Sequence, residues 1–533
     1  MRRTQQVCCR KCRNSVPKSR FCGVCGSSLP SRIPVTRILA YCALTLLLLA
    51  SIYGALHTGS LDVAKGGSGL THGDWLVDAQ SYVIFNDGGT YKARDGATGE
   101  VTSDADPATL VQGVVDDVSS AAVLYLKGKG ETWPWSAPVT VNSKNISIIS
   151  EPTLQAVANY PGPNTEMFFF MNVSDIDVVL RLDGNKSNQG GLPRPEVGVR
   201  FYACSDVRAT IHSVNQPNAD VSMWTDDEAH RCENMRLNLY SLNCDNYSGS
   251  GYSLYLSGGL GIHVSGYVEG SVAQPLYLEG TYGTEVWLNQ FKAYNCATAG
   301  TVPGLDVRSG TTAYLTDVEM DTINNDGVHV YAGGAVYGHN VTIKGATQYG
   351  VENYGLLVVD GLEIDATGGN HALMTRGGSD YAFVSHFIVT GVETGTVGIC
   401  VNADSAGDHL FRDGSIAGVN GFLDQAVTKS ILEHVDLSGV TGTKVADAGA
   451  GKVRDCNGYV TKNTVTVTIT AGNTTSGNVP HLLAATPTNA WLTPTSDTGG
   501  KRWWLSSKDG TSIVVSIDSA YVSNITFDCE VEV

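Results

Sequence analysis

Four cysteines near the start of the chain have the spacing of a metal site: Cys9-x2-Cys12, then Cys22-x2-Cys25. Tetrahedral Zn takes four soft ligands, and two tight turns present thiolates in pairs. The second pair sits in "FCGVCG", where the glycine after Cys25 lets backbone N–H groups approach sulfur. Cys8 could replace Cys9 only with a C-x3-C spacing, so it is given no ligand role. A disulfide pair or palmitoylated cysteines would account for the same residues. As a Zn site the four thiolates leave no open position for a reaction, so the metal would be structural.

A second set lies far downstream. Alternation along the short strands turns Leu305, Val307 and Val330 inward. If successive strands stack, Asp306, His329 and Glu352 form an outward column. Arg308, Tyr331, Tyr354 and Arg376 run beside it. Strands about 4.8 Å apart would put His329 between two carboxylates and the two tyrosines edge to edge between two arginines. Aromatic faces flanked by carboxylates and guanidiniums suit sugars, through ring stacking and hydrogen bonds to hydroxyls. The bland alternative is a polar column that serves solvation and register. No metal set or second proton-transfer group stands opposite His329, so binding is expected rather than catalysis.

Two further clusters compete. Asp321, Lys344 and Asp365 would form a ladder of alternating sign, flanked by Glu319 and Glu363. Such ladders stabilise stacking by roughly 0.2–1 kcal/mol per pair and imply no ligand. The stretch "WTDDEAHRCENMRL", 224–237, reads as an insertion holding Trp224, Asp226, Asp227, Glu228 and His230 together. It could hold a hard cation or do acid–base work, or be a solvated loop.

The elements that must position these residues show as a repeat. "TEVWLNQFKAYNCATAGTVPGLDVRSG", "TTAYLTDVEMDTINNDGVHVYAGG", "AVYGHNVTIKGATQYGVENYG", "LLVVDGLEIDATGGNHALMTRGG" and "SDYAFVSHFIVTGVETGTVGICVNAD" follow one another over 284–404. Each has an alternating strand, a Gly/Asn turn, a second short strand and another turn, the length of one β-helix coil. Weaker copies extend back to about 139 and forward to about 455. Val318, Val341, Leu362 and Phe387 should stack in one internal column. Ahead of the repeat, "SYVIF" and "TYKAR" flank Asn86-Asp87-Gly88-Gly89 as a hairpin. "DADPATLVQGVVDDV" reads as a helix capped by Asp106, with Leu110, Val111, Val114, Val115 and Val118 on one face.

A short helix laid over the first strands of such a repeat resembles the N-terminal cap of pectate-lyase-like right-handed parallel β-helix proteins. The resemblance implies a mainly β solenoid whose open end is covered, because bare strand edges invite pairing. It does not extend to activity. Polygalacturonase-like enzymes carry N-x-D, D-D, G-H-G and R-x-K elements. Here "NND" at 324–326 and His339 in "YGHN" occur without a D-D in register or a downstream R-x-K. Pectate lyases pair acidic Ca ligands with a catalytic arginine, which Arg308 beside Asp306 matches poorly. The first 30 residues resemble the zinc-ribbon module of prokaryotic membrane proteins, with Arg13 where Gly is usual.

"ILAYCALTLLLLASIYGAL", Ile38–Leu56, has no charge over 19 residues. It would reach roughly 28 Å as a helix, about the bilayer core. A cleaved signal peptide is the alternative, but the run is long and lacks a small-x-small ending. Nine basic and no acidic residues precede residue 38, which would keep the N-terminus cytoplasmic and export the rest. That location argues against disulfides among the first cysteines and leaves the zinc ribbon free to recruit a cytoplasmic partner. Of 35 basic residues, 26 then face 52 acidic ones outside, an acidic body that disfavours nucleic acid. Sequons at Asn145, Asn172, Asn185, Asn246, Asn340, Asn473 and Asn524 fit an exported glycoprotein.

The expected organisation is thus a zinc ribbon over 1–30, a single-pass anchor over 38–56 and a flexible spacer over 57–75. A hairpin and capping helix follow over 76–138, a β-helix over 139–456 and a β-sandwich over 457–533. Cysteines beyond the anchor number seven, so at least one is unpaired, and none is assigned to a disulfide. The functional expectation is a cell-surface solenoid that binds polysaccharide or a partner surface, with a lyase or glycosidase as the alternative.

Overall fold

The computed structural model describes residues 6–8, 15–17 and 81–532, apart from 120, 159, 161–164, 190–194, 226, 245–250, 273, 299–301, 379–380, 427–429, 448–451 and 485. The chain divides into two units, residues 1–77 and 78–533. In the first, Gln6–Cys8 pairs antiparallel with Ser15–Pro17. Cys9, Cys12, Cys22, Cys25 and the apolar run Ile38–Leu56 lie outside the described residues. Among the described residues no helix is long and apolar enough to cross a membrane.

The second unit is a parallel β-helix followed by a small antiparallel domain. Two long sheets face each other across one apolar core. The second sheet has 13 described strands, from Val139–Asn142 to Val445–Asp447, all paired in parallel. In the first sheet the strands Thr284–Cys296, Thr311–Ile323, Ala335–Lys344 and Leu356–Asp365 stack coil on coil. Each bends at a residue with positive φ, at Gln290, Asp317, Asn340 and Gly361, and the first two have a second such residue near their ends, Asn295 and Thr322. The bend lets one strand turn a corner without losing its inward alternation. Val318 pairs with Val341 and Val341 with Leu362, and Phe387 continues the column; all four are at most 2% exposed.

The second sheet begins each rung at a tight corner. There the segments "GLDV", "GVHV" and "GVEN" bring in Gly304, Gly327 and Gly350. A Cβ on Gly327 would lie 2.4 Å from Ile343 Cγ2 and 2.7 Å from Gly350 O. One on Gly350 would lie 2.5 Å from Ala372 O and 2.6 Å from Ile364 Cγ2. Only glycine allows the corner to pack against both the core and the next coil.

The solenoid's first end is covered as the sequence suggests. Ser81–Asp87 and Thr90–Asp95 form the hairpin, and Ser81–Asp87 pairs in parallel with Ala122–Lys127. Helix Pro107–Asp117 is capped by Asp106, which accepts from Ala108 N–H at 2.9 Å. It buries Leu110, Val111, Val114 and Val115. Gln112, which sequence reading passed over, has a specific task. Its amide accepts from Thr140 N–H (2.7 Å) and donates to Thr140 C=O (3.2 Å). It stands in for the missing neighbouring coil and satisfies the edge strand.

Residues 462–532 form two three-stranded antiparallel sheets around a core of their own, with Val467, Ile513, Val515 and Phe527 buried. The seven cysteines of this unit are buried, and no disulfide joins them. The stretch 224–237 is an insertion at a corner, as the sequence suggests: twelve residues separate Ala219–Met223 from Arg236–Leu242, where the equivalent corners on either side hold four or five. Within it Cys232–Glu233 pairs with Gly259–Leu260, and Arg236–Leu242 then resumes the first sheet as a regular rung.

Replacing Val341 by Asp would bury a charge between Val318 and Leu362, at a cost of several kcal/mol, on the order of the ~3 kcal/mol or more that unpaired buried charges carry. No soluble, monomeric β-helix should be recovered; a folded V341D protein by circular dichroism and gel filtration would contradict this register. Burial also titrates. His409 lies in the interior with Nε2 2.8 Å from Ser405 Oγ, and its burial lowers its pKa to about 4. The unfolded chain takes up this proton near pH 6.5, the folded chain only near 4, so stability falls as pH drops through that window, by at most about 3 kcal/mol. Denaturant midpoints measured from pH 7 to 4 should fall less steeply in His409→Leu than in the parent chain; identical slopes would disprove the assignment.

Candidate functional site

The outer face of the second sheet carries one continuous row of side chains. Arg200, Ser222, Tyr255 and Tyr277 pair in register, and Tyr277 continues to Asp306, His329 and Glu352. The predicted column Asp306–His329–Glu352 therefore stands as aligned. Its neighbours Arg308, Tyr331, Tyr354 and Arg376 follow the strand ends, one coil apart.

Two expectations are corrected here. The column points out of the coil but not into solvent: Asp306 is 0% and Glu352 6% exposed. Arg308, Tyr331, Tyr354 and Arg376 fold back from the corners and roof the strands. The two tyrosines also do not meet. The His329 ring lies between them, 4.2 Å from Tyr331 and 5.5 Å from Tyr354, nearly parallel to both. The Arg308 guanidinium lies over Tyr331 at 3.8 Å and over Tyr277 at 5.2 Å. An imidazole flat enough to stack takes the space that the register alone would leave to the second tyrosine.

Beneath the roof the polar groups are closely matched. Asp306 Oδ2 accepts from Arg308 Nη2 (2.9 Å) and Gln274 Nε2 (2.7 Å), while Oδ1 is buried without a hydrogen bond. Burial pushes this carboxyl up from the usual carboxylate range, against the pull of Arg308. His329 Nδ1 lies 3.0 Å from Asp326 Oδ2 and 3.2 Å from Glu352 Oε2. Glu352 Oε1 pairs with Arg376 Nε at 2.9 Å. Arg376 Nη2 donates to Tyr349 Oη at 2.7 Å. The Glu352 carboxyl is raised by burial and then by the negative charge of Asp326.

Asp326 is the residue that sequence reading missed. It was visible in "NND", 324–326, but it lies on the corner before the strand, outside the alternation that assigns faces. It supplies beside His329 the second proton-transfer group that sequence reading did not place there, on the same ring nitrogen as Glu352. Two buried carboxylates around an imidazole can bind a cation, orient a hydroxyl or pass a proton.

Further along the same face lies a cavity of about 300 Å³ lined by Arg200, Ser222, Trp224, Tyr252 and Tyr255, among others. Tyr252, Tyr255 and Tyr277 form a cluster with ring centroids 4.7–5.5 Å apart. Of the stretch 224–237, Trp224 joins this cavity. Asp227 caps the turn Glu228–His230 and pairs with His230 at 2.9 Å, while His230 stacks on Tyr202. Asp226 lies outside the described residues. Asp321, Lys344 and Asp365 are in register, yet Lys344 pairs diagonally with Glu319 at 3.9 Å. A second aromatic ladder, on the first sheet, went unread: His263, Trp287, Tyr314 and Tyr337 stack at 4.8, 5.0 and 5.4 Å. Its signal was the shared position of the aromatic in "EVWL", "TAYL" and "AVYG".

No protein-family model and no curated protein sequence matches this chain. Solved structures are similar to this chain at low identity. The tailspike protein gp49 from Pseudomonas phage LKA1 is 13% identical, with 82% of this chain and 69% of that one covered and a TM-score of 0.35. The tailspike of E. coli bacteriophage HK620, solved in complex with a pentasaccharide, is 10% identical over 80% of this chain and 90% of its own, with a TM-score of 0.41. An exopolygalacturonase from Thermotoga maritima is 11% identical over 66% of this chain and 88% of its own, with a TM-score of 0.29.

Proposed function

We propose that the solenoid binds an extended polysaccharide along the outer face of its second sheet. The observation that carries this is the strip of rings formed by Trp224, Tyr252, Tyr255, Tyr277, Tyr331 and Tyr354. It runs over six successive rungs, about 24 Å at the inter-strand spacing. The cavity beside Trp224 gives it a concave end. Rings offer apolar faces to sugar C–H groups, and Arg200, Arg308 and Arg376 along the edges can donate to hydroxyls or carboxylates. A chain lying along the solenoid suits this shape better than a small molecule.

A second reading, hydrolysis or elimination at the same face, is favoured by one observation. Glu352, raised by burial and by Asp326, has the character of a proton donor. Binding is preferred because Asp306, Asp326 and Glu352 all lie under the tyrosine and arginine roof, where a glycosidic oxygen would need it to open.

For the first 77 residues the reading rests on sequence. The four-cysteine pattern supports a structural Zn ribbon on the cytoplasmic side, available to a cytoplasmic partner. The uncharged run after it supports a single-pass anchor that displays the solenoid outside the cell.

A glycan array probed with the protein should yield a polysaccharide hit without product release. Against that glycan, Tyr331→Ala/Tyr354→Ala should weaken binding by roughly 1 kcal/mol or more per ring lost. Trp224→Ala should do so independently. Unchanged affinity in all of these variants, with circular dichroism intact, would place the site elsewhere, first at the exposed Trp491, Trp503 and Trp504 of the C-terminal domain. Shortened oligosaccharides in the array eluate would instead favour the hydrolytic reading.

A further inference from the structure

We propose that Asp326, His329 and Glu352 bind one divalent transition-metal ion. The proposal goes beyond glycan binding and does not depend on it.

The first argument is spacing. One donor atom from each residue lies within 4.8 Å of the other two. His329 Nδ1 is 3.0 Å from the Asp326 oxygen and 3.2 Å from the Glu352 oxygen. Around a metal with bonds near 2.0–2.2 Å, neighbouring ligand atoms are separated by about 2.8–3.1 Å in octahedral and about 3.3–3.6 Å in tetrahedral coordination. The two separations from the imidazole thus already match the edge of a coordination shell, and the carboxylate oxygens lie within 4.8 Å of each other.

The second argument is orientation. Each carboxylate uses its other oxygen for a fixed outer contact. Asp326 Oδ1 accepts from Tyr349 N–H at 3.2 Å, and Glu352 Oε1 pairs with Arg376 Nε at 2.9 Å. The imidazole is held flat between Tyr331 and Tyr354. Ligating residues are characteristically held by such outer contacts, which stop them from swinging away.

The third argument is charge. The side chains of Asp326 and Glu352 are 3% and 8% exposed, and that of His329 is 12%. Two carboxylates this close and this buried need positive charge between them. A divalent ion beside a neutral imidazole cancels them in full. An imidazolium at the same place supplies one charge and leaves the rest to Arg376. One nitrogen and two oxygens suit the zinc, manganese and iron group better than calcium or magnesium, which take oxygen alone. Three protein ligands leave a position open towards the roof. Asp326 and His329 belong to one coil and Glu352 to the next, so the ion would also clamp two coils together.

The test uses the untagged full-length chain, stripped with a chelator and titrated with Co²⁺ and with Zn²⁺. Because Cys9, Cys12, Cys22 and Cys25 can take metal too, stoichiometry is compared between the parent chain and variants. The parent should bind one equivalent more than His329→Ala or Asp326→Asn. The Co²⁺ lost should be ion that gives visible d–d bands without sulfur-to-metal charge transfer. Arg376→Gln should keep the equivalent but weaken it by roughly 10–100-fold. Zn²⁺ should raise the unfolding midpoint of the solenoid in the parent and not in Asp326→Asn. Equal stoichiometry in parent and variants, or a lost equivalent that carries the thiolate spectrum, would overturn the proposal. Asp326→Asn preserves shape and keeps the comparison informative even where His329→Ala does not fold. No glycan is present, so failure here leaves the polysaccharide reading intact.

Discussion

The solenoid follows from one constraint: the backbone of each coil hydrogen-bonds in parallel, and in register, to the coils on either side. Parallel pairing at one strand spacing turns equivalent positions of a repeat into columns. Inside, the column Val318–Val341–Leu362–Phe387 and its neighbours make a core in which each residue touches its counterpart before and after. The same pairing leaves a row of unpaired peptide groups at the end of the stack. Helix Pro107–Asp117 covers that end, and the Gln112 amide supplies the donor and acceptor that an absent coil would have given. The corners obey the same rule, since Gly327 and Gly350 leave room for the backbone of the next coil.

Stacking in register also gathers charge. Asp306, His329 and Glu352 sit on successive rungs, and a column of ionisable groups so close would be unstable without compensation. The compensation comes from arginines that follow the strand ends: Arg308 folds back onto Asp306 of its own rung, and Arg376 reaches Glu352 from the next rung. Removing either arginine would leave a buried carboxylate unmatched, a larger effect than the loss of an exposed ion pair. The interior holds a contrasting case. Asp220 is fully buried and takes a hydrogen bond from Ser241, and burial raises its carboxyl. Burial there favours the neutral acid, while at the outer face arginines and a histidine sit within reach to balance charge.

The candidate site thus joins two surfaces of different character. A ring strip with a cavity at one end suits an extended, hydroxyl-rich ligand. A roofed cluster of Asp326, His329 and Glu352 suits a small cation. They share Tyr331 and Tyr354, which belong to the ring strip and stack on His329. Occupancy of one would therefore be felt by the other through these rings.

The repeat of 284–404 was legible in the sequence because alternation and glycine corners recur at one spacing, and spacing is all that register requires. The capping helix was legible from Asp106, Pro107 and an apolar stripe, all local signals. The column Asp306–His329–Glu352 could be aligned for the same reason. The sequence could not tell that the column is buried, because burial depends on where Arg308, Tyr331, Tyr354 and Arg376 turn after their strands end. Nor could it place Asp326, whose corner follows no period, or the Gln112 contact, which joins positions 28 residues apart. Periodic backbone pairing determines which residues are neighbours, and a single chain displays that period. What those neighbours do is decided by side-chain rotamers and corner geometry, which arise only when successive coils are packed against one another.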